Sequence, residues 1–226
     1  MMKIVIGFFF ALSLHGLEAE MFFKTKLIEV HAAADAKVVT TDFPFEIKGE
    51  DAEIISYDAP CSCLTAKVFP LKPDRSTKLK WSNGEKGKIV GRFEMGNFKG
   101  TIDKAVLIKL RGQKEPVQLI VRVHIPVLFA ISPATHQWEL NGPLTPKVFK
   151  IKVNHTKPIN ILKTMGVMQG FKYEQETIKP GQEYEVTVIP ESTATPGMGR
   201  LAFLTDCEIP RHKRHQVFAV VKAPRK

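Results

Sequence analysis

The sequence predicts an all-β fold, and three observations predict it. Short stretches alternate apolar and polar residues with a period of two. Gly, Pro, Asn and Asp punctuate those stretches at close intervals. No long stretch of helical periodicity follows residue 20. Alternation puts one face of each stretch on a core and the other in water. Many short strands separated by turns build sandwiches or barrels.

Taken in chain order, the first 19 residues read as a secretory signal peptide. Met1-Met2-Lys3 is a short positive start, and residues 4–14 form an apolar run broken only by Gly7 and Ser13. Leu17-Glu18-Ala19 then puts a small residue at a cleavage point before Glu20. The run is short for a membrane-spanning helix, and no Cys lies near the cleavage point to carry a lipid anchor. The expected location is periplasmic or secreted, with no transmembrane span after signal cleavage.

The strands follow. Phe43, Phe45 and Ile47 alternate with Pro44, Glu46 and Lys48, and Leu79 and Trp81 alternate with Lys78 and Lys80. Leu119, Val121 and Val123 form a third alternating set, Phe149, Ile151 and Val153 a fourth, and Tyr184, Val186 and Val188 a fifth. Asn83-Gly84, Gly96-Asn97, Lys99-Gly100, Asn141-Gly142-Pro143, Lys179-Pro180-Gly181 and Pro196-Gly197 are turn signals between them. The Ala-rich stretch at 32–36 is too short to stand as a helix.

The two halves share landmarks in the same order. Phe45-Glu46-Ile47-Lys48 precedes Phe149-Lys150-Ile151-Lys152 by 104 residues, and Leu71-Lys72-Pro73 precedes Ile178-Lys179-Pro180 by 107. Gln118-Leu119-Ile120-Val121 precedes Gln216-Val217-Phe218-Ala219 by 98. A chain of 226 residues, 44% hydrophobic, can bury a core in each half. The expected organisation is a signal peptide at 1–19 and two tandem immunoglobulin-like β-sandwich domains at 20–126 and 127–226, joined by a stiff connection at Ile125-Pro126-Val127.

The net charge of +10 is spread over both halves: 18 basic against 14 acidic residues in 20–126, and 14 against 8 in 127–226. A positive bias suits an anionic partner. No nucleic-acid recognition motif accompanies it, so nucleic acid is not expected as a ligand.

Residues 43–126 carry a resemblance to a known family. Phe43-Pro44-Phe45 opens it, an apolar strand at 52–57 runs into Cys61-Ser62-Cys63-Leu64-Thr65, and a turn at Lys72-Pro73-Asp74 follows. A strand at 77–81, a hairpin arm at 100–110 and a last apolar strand at 117–124 complete it. This pattern resembles the bacterial exported domain of unknown function 1573 (DUF1573), an immunoglobulin-like module, and the second half is a divergent copy lacking the Cys pair. Ser62 stands where the family usually has Gly, and Leu64 is inserted before Thr65. The resemblance implies fold and export, and no activity.

Two constellations could carry chemistry. Cys61 and Cys63, two apart on an extended strand, would face the same way and could grip Cu(I) or act as a vicinal redox pair; the bland alternative is two small thiols filling a core. A bond between them would close almost no loop. Met165, Met168 and Cys207 are the sulfur groups that could support a copper site. The second constellation is Arg211-His212-Lys213-Arg214-His215, read as an anion patch or simply a solvated basic hairpin loop, with the two His facing opposite ways on a strand. No nucleophile elbow, zinc-protease helix, phosphate-binding loop or dinucleotide fingerprint is present. The expectation is therefore a non-catalytic binding or assembly module of the bacterial envelope, without a cofactor. Its partner would be an envelope protein or an anionic envelope polymer. An envelope thiol or Cu(I)-binding protein is the rival expectation.

Overall fold

The computed structural model describes residues 18–71 and 77–222. The signal-peptide assignment at 1–19 and the turn at Lys72-Pro73-Asp74 fall outside the described residues, apart from Glu18 and Ala19. The chain is all-β: among the described residues there are seventeen strands, one three-residue 3-10 turn and no α-helix.

Nine strands come from the first half: β1 (Glu20–Phe23), β2 (Leu27–His31), β3 (Val38–Lys48), β4 (Ala52–Asp58), β5 (Leu64–Pro70), β6 (Lys80–Trp81), β7 (Lys86–Glu94), β8 (Gly100–Leu110) and β9 (Val117–Ile125). They form two sheets, ordered β1-β3-β7-β5 and β2-β9-β8-β4-β6. The other eight are β10 (Phe129–Ser132), β11 (Thr135–Glu139), β12 (Lys147–Val153), β13 (Ile161–Val167), β14 (Phe171–Lys179), β15 (Glu183–Pro190), β16 (Gly197–Thr205) and β17 (Arg214–Lys222). Their sheets are ordered β10-β12-β15-β14 and β11-β17-β16-β13. The strands of the second half pair antiparallel except β11 with β17, which run parallel from Thr135 opposite Phe218 to Glu139 opposite Lys222.

By compactness the chain divides into two units. Unit 1 holds residues up to Ile28, Thr40–Arg92 and Lys104–Val121; unit 2 holds Glu29–Val39, Phe93–Asp103 and Arg122–Lys226. Strands β2, β3, β7, β8 and β9 thus each contribute residues to both units, and Pro126 lies inside unit 2.

In unit 1 the period-two reading of the sequence becomes burial. Along β3 the residues alternate between exposed and buried from Val38 to Lys48, so Phe43, Phe45 and Ile47 all point inward. Phe45 meets Trp81 edge-on at 4.8 Å between ring centroids. Gly87 faces that pair, and a Cβ there would stand 2.4 Å from Trp81 and 2.5 Å from Phe45, so only glycine fits. The Trp81 indole donates to the Lys78 carbonyl at 3.0 Å, which satisfies its one polar atom.

In unit 2 both sheets of the second half contribute to one core: Phe149, Ile151, Tyr184, Val186 and Val188 from one, Trp138, Leu201, Phe203, Val217 and Val221 from the other. The buried polar atoms of Trp138 and Tyr184 are paired. Trp138 donates to the Thr145 carbonyl at 2.8 Å, and the Tyr184 hydroxyl donates to the Ile159 carbonyl at 3.0 Å while accepting from the Gly181 N–H at 2.9 Å. Met168 packs against this core, and Cys207 lies within it as a free thiol. Both therefore serve packing in unit 2.

Candidate functional site

The loop between β16 and β17 is built by its backbone. Pro210 opens a single 3-10 turn to His212, closed by His212 N–H donating to the Ile209 carbonyl at 2.9 Å and Lys213 N–H to the Pro210 carbonyl at 3.1 Å. Thr205 grips the turn twice: its N–H donates to the Lys213 carbonyl at 2.9 Å and its hydroxyl to the His212 carbonyl at 2.7 Å. The segment before the turn is fixed by Asp206, whose carboxylate accepts from the Asn160 backbone at 2.7 Å and the Asn160 amide at 2.8 Å.

This geometry corrects the expectation of a solvated basic loop. Arg211, His212 and His215 are buried, while Lys213 and Arg214 are exposed. It also corrects the expectation that the two His face opposite ways. The 3-10 turn, rather than a strand, carries His212, and its ring lies 5.9 Å from that of His215, nearly parallel at 24°. Arg211 donates from one guanidinium nitrogen to the Ala36 carbonyl and from another to the Met95 sulfur at 3.8 Å.

Lys99 completes the group within unit 2. Its ammonium lies 3.3 Å from His215 Nδ1, and His215 Nε2 lies 2.9 Å from the His212 carbonyl. A carbonyl only accepts, so Nε2 carries the proton and Nδ1 offers its lone pair to Lys99. His215 is therefore a neutral ring held between two partners. Burial pushes its pKa down to about 4, with Lys99 adding to the effect and the His212 carbonyl opposing it. Burial likewise pushes His212 down to about 4, helped by Lys99 and Arg211. The Pro126 carbonyl opposes that shift, but it lies outside hydrogen-bonding geometry, and both His212 ring nitrogens lack a partner among the described residues. Burial lowers the Lys99 pKa as well, and Arg211 lowers it further.

Lys99, Arg211 and His215 border a cavity of about 530 Å³, lined also by Asn97, Phe129 and Arg214 among others. Three of the lining groups are cations and none is a carboxylate. No acid contributes to the shifts of Lys99, His212 or His215. Elsewhere in unit 2 the opposite holds. Arg122 is held by Asp103 at 2.7 and 2.8 Å and by Glu29 at 3.1 Å. Partly desolvated cations without counter-charge favour an anion, and guanidinium and ammonium donors suit carboxylate or phosphate oxygens.

Sequence reasoning singled out Arg211, His212, Lys213, Arg214 and His215 but missed Lys99, Asn97 and Phe129. The local signal for Lys99 was its place beside Gly100 in a turn, which says nothing of what it faces.

The cysteine site also differs from expectation. Cys61 and Cys63 lie in the turn between β4 and β5, not on an extended strand, and both are partly exposed rather than core-filling. They form a disulfide with each other, with Cα atoms 5.3 Å apart. Leu64 N–H donates to the Cys61 carbonyl at 3.4 Å to close the turn. A disulfide has no thiolate to offer, so Cu(I) could be held only by the reduced pair. Among the described residues, no group of three or more His, Cys, Asp or Glu is arranged to hold a metal ion. A bridge across so short a loop stabilises by only about 1–2 kcal/mol on the chain-entropy relation. A cavity of about 350 Å³ adjoins the turn, bordered by Tyr57, Asp58, Cys61, Ser62, Leu64 and Thr65.

Fold and sites together define an all-β chain with paired sheets, a cation-lined cavity and a short-loop disulfide. Residues 21–125 match the family described as Protein of unknown function (DUF1573). The match bears out the resemblance read from residues 43–126 and begins earlier, taking in β1 and β2. No curated protein matches the sequence. Among solved structures, a protein of unknown function from Porphyromonas gingivalis W83 is similar at 10% identity and TM-score 0.35, covering 93% of this chain and 100% of that one. Domains 4 and 5 of the S-layer protein SbsC are similar at 14% identity and TM-score 0.30, covering 74% and 79%. The secreted serine protease VesC from Vibrio cholerae is similar at 8% identity and TM-score 0.34, covering 92% and 52%. No helix among the described residues is long and apolar enough to cross a membrane.

Proposed function

We propose that the protein is an exported, non-catalytic binding module of the bacterial cell envelope, periplasmic or secreted. On this reading it is built from tandem immunoglobulin-like domains and takes an acidic group of its partner into the cavity of unit 2. The observation that carries the reading is the set Lys99, Arg211 and Arg214 around one cavity with no carboxylate in its lining. Export is supported by the positive start, apolar run and small residue at Ala19 in the first 19 residues. An envelope polymer bearing phosphate or carboxylate groups, or an acidic segment of an envelope protein, has the required chemistry.

The test is calorimetric titration of the protein with inorganic pyrophosphate and, separately, with an oligogalacturonate, at low and at raised salt. Binding at low salt that weakens as salt rises is the expected result. Lys99→Met and Arg214→Ala should each weaken it by about tenfold, the loss of one charge-assisted contact. Absence of binding to both probes at low salt, or binding in both variants as tight as in the unchanged protein, would overturn the reading.

A further inference from the structure

We propose that the Cys61–Cys63 disulfide is exchange-active: it accepts two electrons from a dithiol partner, with Cys61 as the sulfur attacked. This is independent of the anion cavity and stands or falls separately.

Three observations carry it. The bridge spans a sequence separation of two, so it constrains the unfolded chain hardly at all and contributes little to holding the fold. The turn is instead held by its own backbone bond from Leu64 to Cys61 and by the strands on either side. Both cysteines are partly exposed, while the free thiol Cys207 is buried. Exchange requires a thiolate to approach a sulfur, and exposed bridges are the labile ones. Finally, the cavity beside the turn is bordered by Cys61 and not by Cys63. Its Tyr57, Asp58, Ser62 and Thr65 lining is polar enough to receive a peptide segment.

The reaction balances without any further reagent. A thiolate of the partner attacks Cys61 Sγ, the Sγ–Sγ bond breaks, and Cys63 leaves as a thiolate that takes a proton. The partner's second thiolate then attacks its own sulfur in the mixed disulfide and releases Cys61. The partner ends as a disulfide, and this chain ends as two thiols.

Glutathione serves as the probe. The oxidised chain is held in native buffer with a series of reduced-to-oxidised glutathione ratios, quenched by alkylation and mapped by mass. The expected result is complete reduction of Cys61 and Cys63 by millimolar reduced glutathione in the folded state, with Cys207 unmodified and the melting transition little changed. Single variants then test the assignment of the attacked sulfur. Cys63→Ser, which leaves Cys61 free, should form a mixed disulfide with oxidised glutathione about tenfold faster than Cys61→Ser. A bridge that stays oxidised until the chain unfolds would overturn the proposal and mark it as a structural staple. Equal rates in the two variants would overturn the assignment to Cys61.

Discussion

The turn at Cys61-Ser62-Cys63 and the turn at Arg211-His212-Lys213 have exchanged the environments their compositions suggest. Cysteines are among the residues most often buried, and a run of Arg, His and Lys among the most often solvated. Yet Cys61 and Cys63 are partly exposed, while Arg211 and His212 are almost wholly covered. What separates them is the support under each. The cysteine turn is closed by a single backbone bond, with a disulfide across a minimal loop that adds little. The basic turn is gripped by both groups of Thr205, and the Arg211 guanidinium reaches the Ala36 carbonyl. Composition sets what a loop costs to bury, and anchoring decides whether it is buried. A turn that is cheap to open and one that is expensive to bury are both places where function can be kept.

Acid should expose the difference most strongly. His212 and His215 have ordinary values near 6.5 that fall to about 4 in the folded chain. A lowered His pKa means the unfolded chain binds the protons that the folded chain refuses, so stability rises with pH. The stabilisation is fully present above about pH 6.5 and is lost as the pH falls from there towards about 4. Allowing for water entering the cavity beside His215, the loss is on the order of 2 kcal/mol for each ring. Urea midpoints at pH 7.5, 5.5 and 4.5 measure it, and His215→Gln, which keeps a donor for the His212 carbonyl, should remove about half of the slope. A flat profile over that range would mean the two rings are hydrated and the basic turn is no more buried than the cysteine turn.

Arg211→Ala comes next. It removes a buried side chain and its charged hydrogen bond to Ala36, while relieving repulsion on Lys99. The net loss should be about 2 kcal/mol, since the lost contacts outweigh the relief. Equilibrium denaturation reads it directly, and no change would show that Arg211 is surface decoration.

Replacing both Cys61 and Cys63 by Ser should cost less, about 1–2 kcal/mol or under, because the closed loop is minimal. A drop of several kcal/mol would make the bridge a staple and erase the contrast between the two turns.

Much of the fold was legible because period-two alternation survives in three dimensions. Phe43, Phe45 and Ile47, then Tyr184, Val186 and Val188, are all buried as the pattern requires. The sites were legible only as composition. The spacing of Cys61 and Cys63 identified the pair but not the turn that lets them bond, because spacing alone does not distinguish a strand from a turn. Lys99 lies over a hundred residues from His215, and nothing local tells that its ammonium meets that ring. The same distance hides the Arg211 contact with Ala36, which spans 175 residues. Long-range docking of loops is carried by side-chain shape and backbone acceptors, which leave no periodic trace.

The smallest effect gives the sharpest test of the cavity. Lys213 and Arg214 are adjacent, both exposed, and equal in charge. Only Arg214 borders the cavity. The Lys213 backbone is committed, its N–H to Pro210 and its carbonyl to Thr205, but its side chain is free to be shortened. Lys213→Ala should therefore change stability by no more than about 0.5 kcal/mol, the usual range for a surface site. It should also leave pyrophosphate affinity nearly unchanged, because its charge is screened by solvent, whereas Arg214→Ala should reduce that affinity about tenfold. If the two variants lose affinity equally, the anion is responding to the overall positive field of the segment and not to a defined cavity. The contrast between the two turns would then reduce to burial alone.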